Sequence, residues 1–451
     1  MGATLAAAIG SILFLVGLTT VEPRFSGVLP YALVLVICAT ATWRRLSPVA
    51  LSPAFYFAAY LTIVAVLGVL LTNALVGAGG TGGVDVAIPT EIAVATADAL
   101  LAGASIVLLS GATSRGPGAR GDRANIFDLG SLSRYAGWFL VFGTLELLAL
   151  LYFLGVDRLL NRISRLIGHD SSIQAAISMA AIAAVVLVAI AFFTSHGFVR
   201  IYSFMLMAGF VAYFISMGTR RLALVPLLIL LAHVISRRGK ITISPAFIAG
   251  ATALIALALP LHFRGQWTHG LIPYVSSLGT FELSPQVIAT SFNNFLAGFK
   301  ITAMTGYAQP PIPLEVLWIS LNPITGESAG WYEVARTLRI NRYTPYSAIG
   351  ELINYGPWVF VAMLAVLGLV LGLIQRLNDR LLGDTLGRFA AILSLGLIFV
   401  FVIQSAQYNL RSDIRYIYLA LGIQVACLLV VRVRTDLTRR HSKLDRIVSR
   451  D

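Results

Sequence analysis

The chain has 451 residues, of which 58% are hydrophobic and only 12% charged. A water-soluble domain of that composition would lack the polar residues to cover its own surface, so the chain reads as an integral membrane protein. Its formal charge of +13 is spread over the joints between apolar runs and a basic tail, which is how membrane proteins set their orientation and argues against nucleic acid as a partner.

Apolar runs close to the roughly 20 residues that a helix needs to cross a bilayer recur along the whole chain. Runs such as Ala175 to Phe193 do not alternate as barrel strands would, so helices must satisfy the backbone inside lipid. The expected architecture is all-α and polytopic, with about twelve spans on residues 3–20, 28–43, 50–72, 91–110, 135–154, 174–194, 199–217, 221–236, 241–262, 356–375, 388–406 and 416–432. The run from Ala3 to Leu18 has no basic leader and another run follows directly, so it reads as a retained span. Cys38 and Cys427 each sit in an apolar run, as buried free thiols do. The glycines of 77–83 lack the lysine of a phosphate loop and read as a hinge, and Gly111 to Arg134 reads as a linker. Arg158, Arg162 and Arg165 fall on one face opposite Leu159, Leu160 and Ile163, the pattern of an interfacial amphipathic helix.

With both termini cytoplasmic, the inside loops and the tail collect 20 of the 33 Lys and Arg, the orientation that the positive-inside rule favours. Residues 1–262 then form an N-terminal membrane region and 263–355 a large extracytoplasmic loop with short helices. Residues 356–451 form the C-terminal spans and a basic tail.

Basic residues left on the outside go against that rule and become the candidates for chemistry. Arg220 and Arg221 lie where one span turns back into the next, and their guanidinium forks match phosphate oxygens. In the late loop Glu333, Arg336, Arg339 and Arg342 recur every third residue, so a short helix would carry them as a stripe. The stripe runs into Tyr343, Tyr346 and Glu351, which suits a sugar beside a phosphate. Arg411 and Arg415 flank Asp413 in a short last outer loop from Tyr408 to Tyr416, where one of them could pair with the acid and leave a surplus cation. His262 and His269 bracket Arg264, and either could act as a base. Asp98 and Glu146 fall inside spans, where a charge costs about 2.5 kcal/mol or more. Metal-ligand spacings are missing from the sequence, which favours a metal-free mechanism.

Three pieces carry a family resemblance. They are the turn Gly218-Thr219-Arg220-Arg221 opening a span that ends in Arg237-Arg238-Gly239-Lys240, the large late loop, and Pro345-Tyr346-Ser347-Ala348-Ile349-Gly350-Glu351-Leu352 followed by Asn354-Tyr355-Gly356. In these the chain resembles bacterial O-antigen and exopolysaccharide polymerases of the Wzy type and the related O-antigen ligases. The resemblance implies glycosyl transfer at the outer face of the bacterial cytoplasmic membrane, from an undecaprenyl-diphosphate-linked oligosaccharide to a hydroxyl of the next lipid-linked unit. It assigns leaving-group stabilisation to Arg220, Arg342 and Arg411, with Arg264, Arg339, Arg336, Arg221 and Arg415 as further phosphate contacts. Glu351 or His262 would assist the acceptor hydroxyl, and Tyr343 and Tyr346 would line the sugar. It implies no cofactor and no metal, and as partners the lipid bilayer, a chain-length regulator and a flippase. An O-antigen ligase shares this chemistry, and a transporter or flippase of lipid-linked sugars would use Asp98 and Glu146 instead.

Overall fold

The computed structural model describes residues 28–46, 52–71, 87–113, 133–164, 172–218, 222, 224–236, 243–264, 267–282, 284–324, 328–341, 344–381 and 385–448. The expected span 3–20, the glycines of 77–83 and most of the 111–134 linker lie outside these residues. The helices in chain order are α1 (Val28–Leu46), α2 (Pro53–Leu71), α3 (Thr90–Thr113), α4 (Ala136–Leu154), α5 (Val156–Leu160), α6 (Ser172–Thr194), α7 (Gly197–Met217), α8 (Leu224–Ser236) and α9 (Ile243–Arg264). After α10 (Leu271–Leu278) and α11 (Pro285–Ala303) comes a π-helical turn, Met304–Ala308, and then α12 (Leu314–Leu321) and α13 (Trp331–Thr337). A two-stranded antiparallel hairpin of β1 (Arg339–Asn341) and β2 (Thr344–Pro345) precedes α14 (Ala348–Asn354), α15 (Pro357–Leu381), α16 (Thr385–Gln404) and α17 (Leu410–Val448).

Among the described residues seven helices are long and apolar enough to cross a membrane, namely α2, α3, α4, α7, α15, α16 and the first part of α17. Shorter apolar stretches lie in α1, α6, α8 and α9. The chain is thus an all-α membrane protein. Helix α3 is apolar all round because it is central: it packs against α1, α2 and α15, and 83% of its apolar window is buried. Small residues permit the approach, since a Cβ on Gly111 would lie 2.6 Å from Ala54 and one on Gly368 2.0 Å from Ser110. By contrast α4 and α7 bury one face and expose Leu145, Leu148, Phe204 and Met205 on the other, the face a lipid-contacting helix shows. Cys38 and Cys427 are free and buried.

The segment 263–355 is not a loose connection. Ser284 caps α11 by accepting from the Val287 amide (3.2 Å), and Pro285 occupies the first turn, where its missing N–H costs nothing. Helix α11 then packs against α9 and α2, with Phe299 under Gly68. It buries polar residues among apolar ones: Ser291, Asn293, Asn294, Lys300 and Thr302 are buried beside Leu296, Phe299 and Ala303. Inside a bundle such groups find partners that lipid cannot supply, which is why a segment too polar for a span still joins the helices.

Candidate functional site

The site grows from the way α14 is held. Ser347 caps this helix by accepting from the Gly350 amide (2.9 Å), and its hydroxyl meets that of Thr302 at 3.0 Å. The first amides of any helix lack partners within it; here Ala348 N–H donates to Tyr408 O (2.7 Å) and Ile349 N–H to Ser405 O (3.3 Å). Those carbonyls follow the end of α16, so the positive end of α14 meets the negative end of α16. Glu351, on the next turn, reaches the start of α17, where its Oε1 accepts from Leu410 N–H (3.2 Å). One seven-residue helix thus joins the end of α16 to the start of α17. It fits closely, because a Cβ on Gly350 would come within 2.6 Å of Thr305 and 2.7 Å of the Ser347 hydroxyl.

Glu351 is fully buried, and its Oε2 has no hydrogen-bond partner among the described residues. Burial pushes its carboxyl up to about 8, with the Leu410 amide opposing, so at neutral pH the group is mostly protonated. Burial and then the Glu351 carboxyl push up the phenols of Tyr346 and Tyr355. At the far end of α14, Asn354 donates to Thr305 O in the π-helical turn (3.0 Å) and accepts from Ile312 N–H (2.7 Å). Such turns are frequent at functional sites.

Arg411 anchors the loop from the other side. It is buried in the first turn of α17, and Nη1 donates to Ile319 O and to Asn322 O (2.9 Å) while Nη2 donates to Ile324 O (2.5 Å). Tyr418 donates to Leu321 O (2.6 Å). These carbonyls close the C-terminal end of α12, where a cation is favourable. The guanidinium lies over the Trp331 ring at 5.5 Å.

Three expectations need correction here. Residues from Leu410 onward form the first turns of α17, not a loop, because Glu351 and the Asn409 side chain, which accepts from Ser412 N–H (2.9 Å), satisfy the helix start. Arg411 does not pair with Asp413: its Nη donors go to backbone carbonyls, and both Asp413 side-chain oxygens are buried without hydrogen bonds among the described residues. The stripe Glu333, Arg336, Arg339, Arg342 is not on one helix, since α13 ends at Thr337 and Arg339 begins a strand. There Arg339 Nε donates to Ala335 O (3.1 Å), which caps the end of α13.

The other named residues divide as follows. Arg336 is exposed, and Arg415 is half-buried beside Arg411. Tyr346 is buried in a cluster with Trp331 and Leu338 and donates to Gln309 Oε1 (3.1 Å), so its ring packs against protein. His262 belongs elsewhere: its Nε2 is 3.0 Å from Ser277 O, and it lines a cavity of about 150 Å³ with Phe281, Glu282 and Thr290. His269 is buried with Nδ1 2.8 Å from the Tyr274 hydroxyl. Arg220, Arg221, Arg342 and Tyr343 lie outside the described residues, as does the side chain of Arg264. Gly218, just before the arginine pair, closes α7 at a φ of 58°, and Tyr274 packs against it.

What sequence reasoning missed is a cavity of about 470 Å³ between α2, α8, α9, α11 and α16. Its walls are mostly apolar: Ile63, Leu67, Leu224, Leu227, Leu257 and Phe399. Polar residues gather where α16 ends, at Gln404, Gln407 and Tyr408, with Tyr60 donating to Ile403 O (2.9 Å). Tyr408 is also the residue whose carbonyl receives α14. The apolar cavity and the docked loop therefore share one turn, 404–408. No local pattern marks the cavity, because its walls come from five helices and each residue reads as ordinary span.

No family model, curated protein or solved structure matches the chain.

Proposed function

We propose that the chain is a membrane glycosyltransferase that polymerises undecaprenyl-diphosphate-linked repeat units at the outer face of the bacterial cytoplasmic membrane. In this reading it has about twelve spans and both termini in the cytoplasm. The observation that carries it is the shared turn. An apolar slot between membrane helices suits a polyprenyl chain, and its polar end at Gln404, Gln407 and Tyr408 abuts the loop that would hold the sugar. Binding both lipid-linked substrates in one place supplies orientation.

The acceptor hydroxyl attacks C1 of the donor sugar, the C1–O bond to the lipid pyrophosphate breaks, and the hydroxyl proton leaves to a base. Negative charge accumulates on the pyrophosphate, and fixed cations stabilise it. That work falls to Arg220, Arg221, Arg336, Arg339, Arg342 and Arg415, with Arg264 behind them. Arg411 has its donors committed to α12, which suits a clamp for the loop. Glu351 likewise holds α14 to α17, and as a base it would need the loop to open.

The test is purified protein in liposomes with a defined lipid-linked repeat unit. A ladder of products on lipid pyrophosphate supports a polymerase. Glycan on a different acceptor supports a ligase, and no transfer at all refutes both. Gly250→Phe sharpens the result: Gly250 lines the cavity and a Cβ there meets nothing within 4 Å, so a large side chain at this position is a way to fill the space. Elongation should fall at least tenfold, and unchanged elongation would remove the cavity from the proposal. A flippase reading draws on Asp98 and Glu146, each of which buries one carboxylate oxygen without a hydrogen bond among the described residues. Movement of lipid-linked sugar across liposomes without transfer would favour it.

A further inference from the structure

Among the described residues the two most exposed large apolar side chains are Trp267, 94% exposed, and Ile163, 89% exposed. They are more than 100 residues apart in sequence yet belong to one structure. Arg162 N–H donates to His269 O and His269 N–H donates to Arg162 O, each at 2.7 Å, which ties the segment after α5 to the segment before α10. Arg162 Nη2 donates to Ser216 O (2.8 Å), and the Ser216 hydroxyl donates to Leu159 O, which ties both segments to the last turn of α7. At Gly270 the chain takes a φ of 117° and passes so close that a Cβ would lie 2.6 Å from Leu160 O. This strap is fixed to the ends of two candidate spans, because α5 follows α4 after the single residue Gly155.

The strap exposes large apolar side chains among polar ones, since Asp157, Arg158, Asn161 and Thr268 are exposed as well, the mixture that a lipid–water interface accepts. Arg162 and His269 face the protein, whereas Val156, Ile163, Trp267, Ile272 and Val275 are exposed. A rigid strap cannot fold these side chains away, and leaving them in water would forfeit the gain of burial, about 25 cal/mol per Å². The face continues the exposed apolar side of α4 through Tyr152 and Phe153, and Arg158 beside it is exposed.

We propose that residues 156–164 and 267–275 form one membrane-interface platform, with Ile163 and Trp267 inserted at the headgroup–acyl boundary of the bilayer beside the ends of α4 and α7. Tryptophan prefers that depth because its ring is apolar and its N–H polar. The sequence pattern around Arg158 points to a single amphipathic helix. The structure instead ends α5 at Leu160, turns Arg162 inward, and draws the second half of the surface from 267–275. Residues 165–171 lie outside the described residues. The proposal is independent of the enzymatic reading.

Spin labels test it. The full chain, with Cys38 and Cys427 changed to Ser, carries a single cysteine as Trp267→Cys, Ile163→Cys or the aqueous control Glu333→Cys. Each labelled protein is placed in vesicles of phosphatidylethanolamine and phosphatidylglycerol. Labels at 163 and 267 should collide with oxygen more than with a water-soluble nickel chelate, at a depth of about 5–10 Å, and the label at 333 should do the reverse. Preferential collision with nickel at 163 and 267 would overturn the proposal. So would exclusion of both agents with spin–spin coupling between molecules, which would show a second copy covering the platform.

Discussion

Two peripheral regions are fastened to helix ends in opposite ways. Around α14 ionisable groups are hidden: Glu351 and Arg411 are buried, and each serves the unpaired backbone groups of another helix. On the strap of 156–164 and 267–275 the charge of Arg162 is spent on Ser216 O, and apolar side chains stand outside. Both use the same currency, unsatisfied backbone groups at helix ends. The difference lies in what surrounds them. A region that buries a carboxyl and a guanidinium has protein around it, whereas a contiguous surface that exposes tryptophan and isoleucine marks a contact with lipid or with another protein.

The sharpest way to break this comparison is Arg411→Ala. It removes the Arg411 donors from the Asn322 and Ile324 carbonyls at the end of α12 and should cost about 3 kcal/mol or more, read as a large fall in unfolding temperature in detergent. Arg415→Ala should cost less than about 1 kcal/mol, so equal losses would mean that Arg411 is not the clamp. Gly350→Ala comes next. Its Cβ would overlap Thr305 and Ser347 and should cost about 1–3 kcal/mol, with faster hydrogen exchange in α14.

Smaller effects separate hydrogen bonding from charge at Glu351. Glu351→Gln keeps an acceptor for Leu410 N–H and should cost little, whereas Glu351→Leu orphans that amide for about 1–3 kcal/mol. The pH dependence follows from the carboxyl raised from 4.5 to about 8. Over that range the undocked acid releases its proton while the docked acid keeps it, so docking of α14 weakens as pH rises from about 4.5 to 8. Hydrogen exchange of α14 across that window should show the slope, and Glu351→Gln should flatten it. Trp267→Ser should be the mildest, within about 0.5 kcal/mol in detergent, because the ring touches little protein; a large loss would mean that it packs against the chain.

Much of the bundle was legible because apolar runs of span length leave few alternatives to a membrane helix, and the runs at 91–110, 135–154, 199–217 and 356–375 coincide with α3, α4, α7 and α15. The resemblance put Arg342 and Arg411 on one leaving group, but the joining of the late loop to the 404–411 region was not legible. It rests on Ala348, Ile349 and Glu351 meeting Tyr408, Ser405 and Leu410, and backbone groups leave no mark in a sequence. The arginine count pointed to cations but could not tell which are committed. Arg411 and Arg415 look alike as letters, yet one has its donors on three carbonyls and the other does not.

The sequence by itself determined the solvent of this protein, a bilayer, since composition and run length decide whether a chain can cover itself in water. It also marked the late polar segment as the unusual part. Only the tertiary structure decided that α11 joins the bundle, that α14 links α16 to α17, and that five helices line an apolar cavity ending at the same turn. The physical reason is range. Transfer to lipid is a sum over neighbouring residues, whereas a satisfied helix end or a cavity wall depends on partners up to hundreds of residues away.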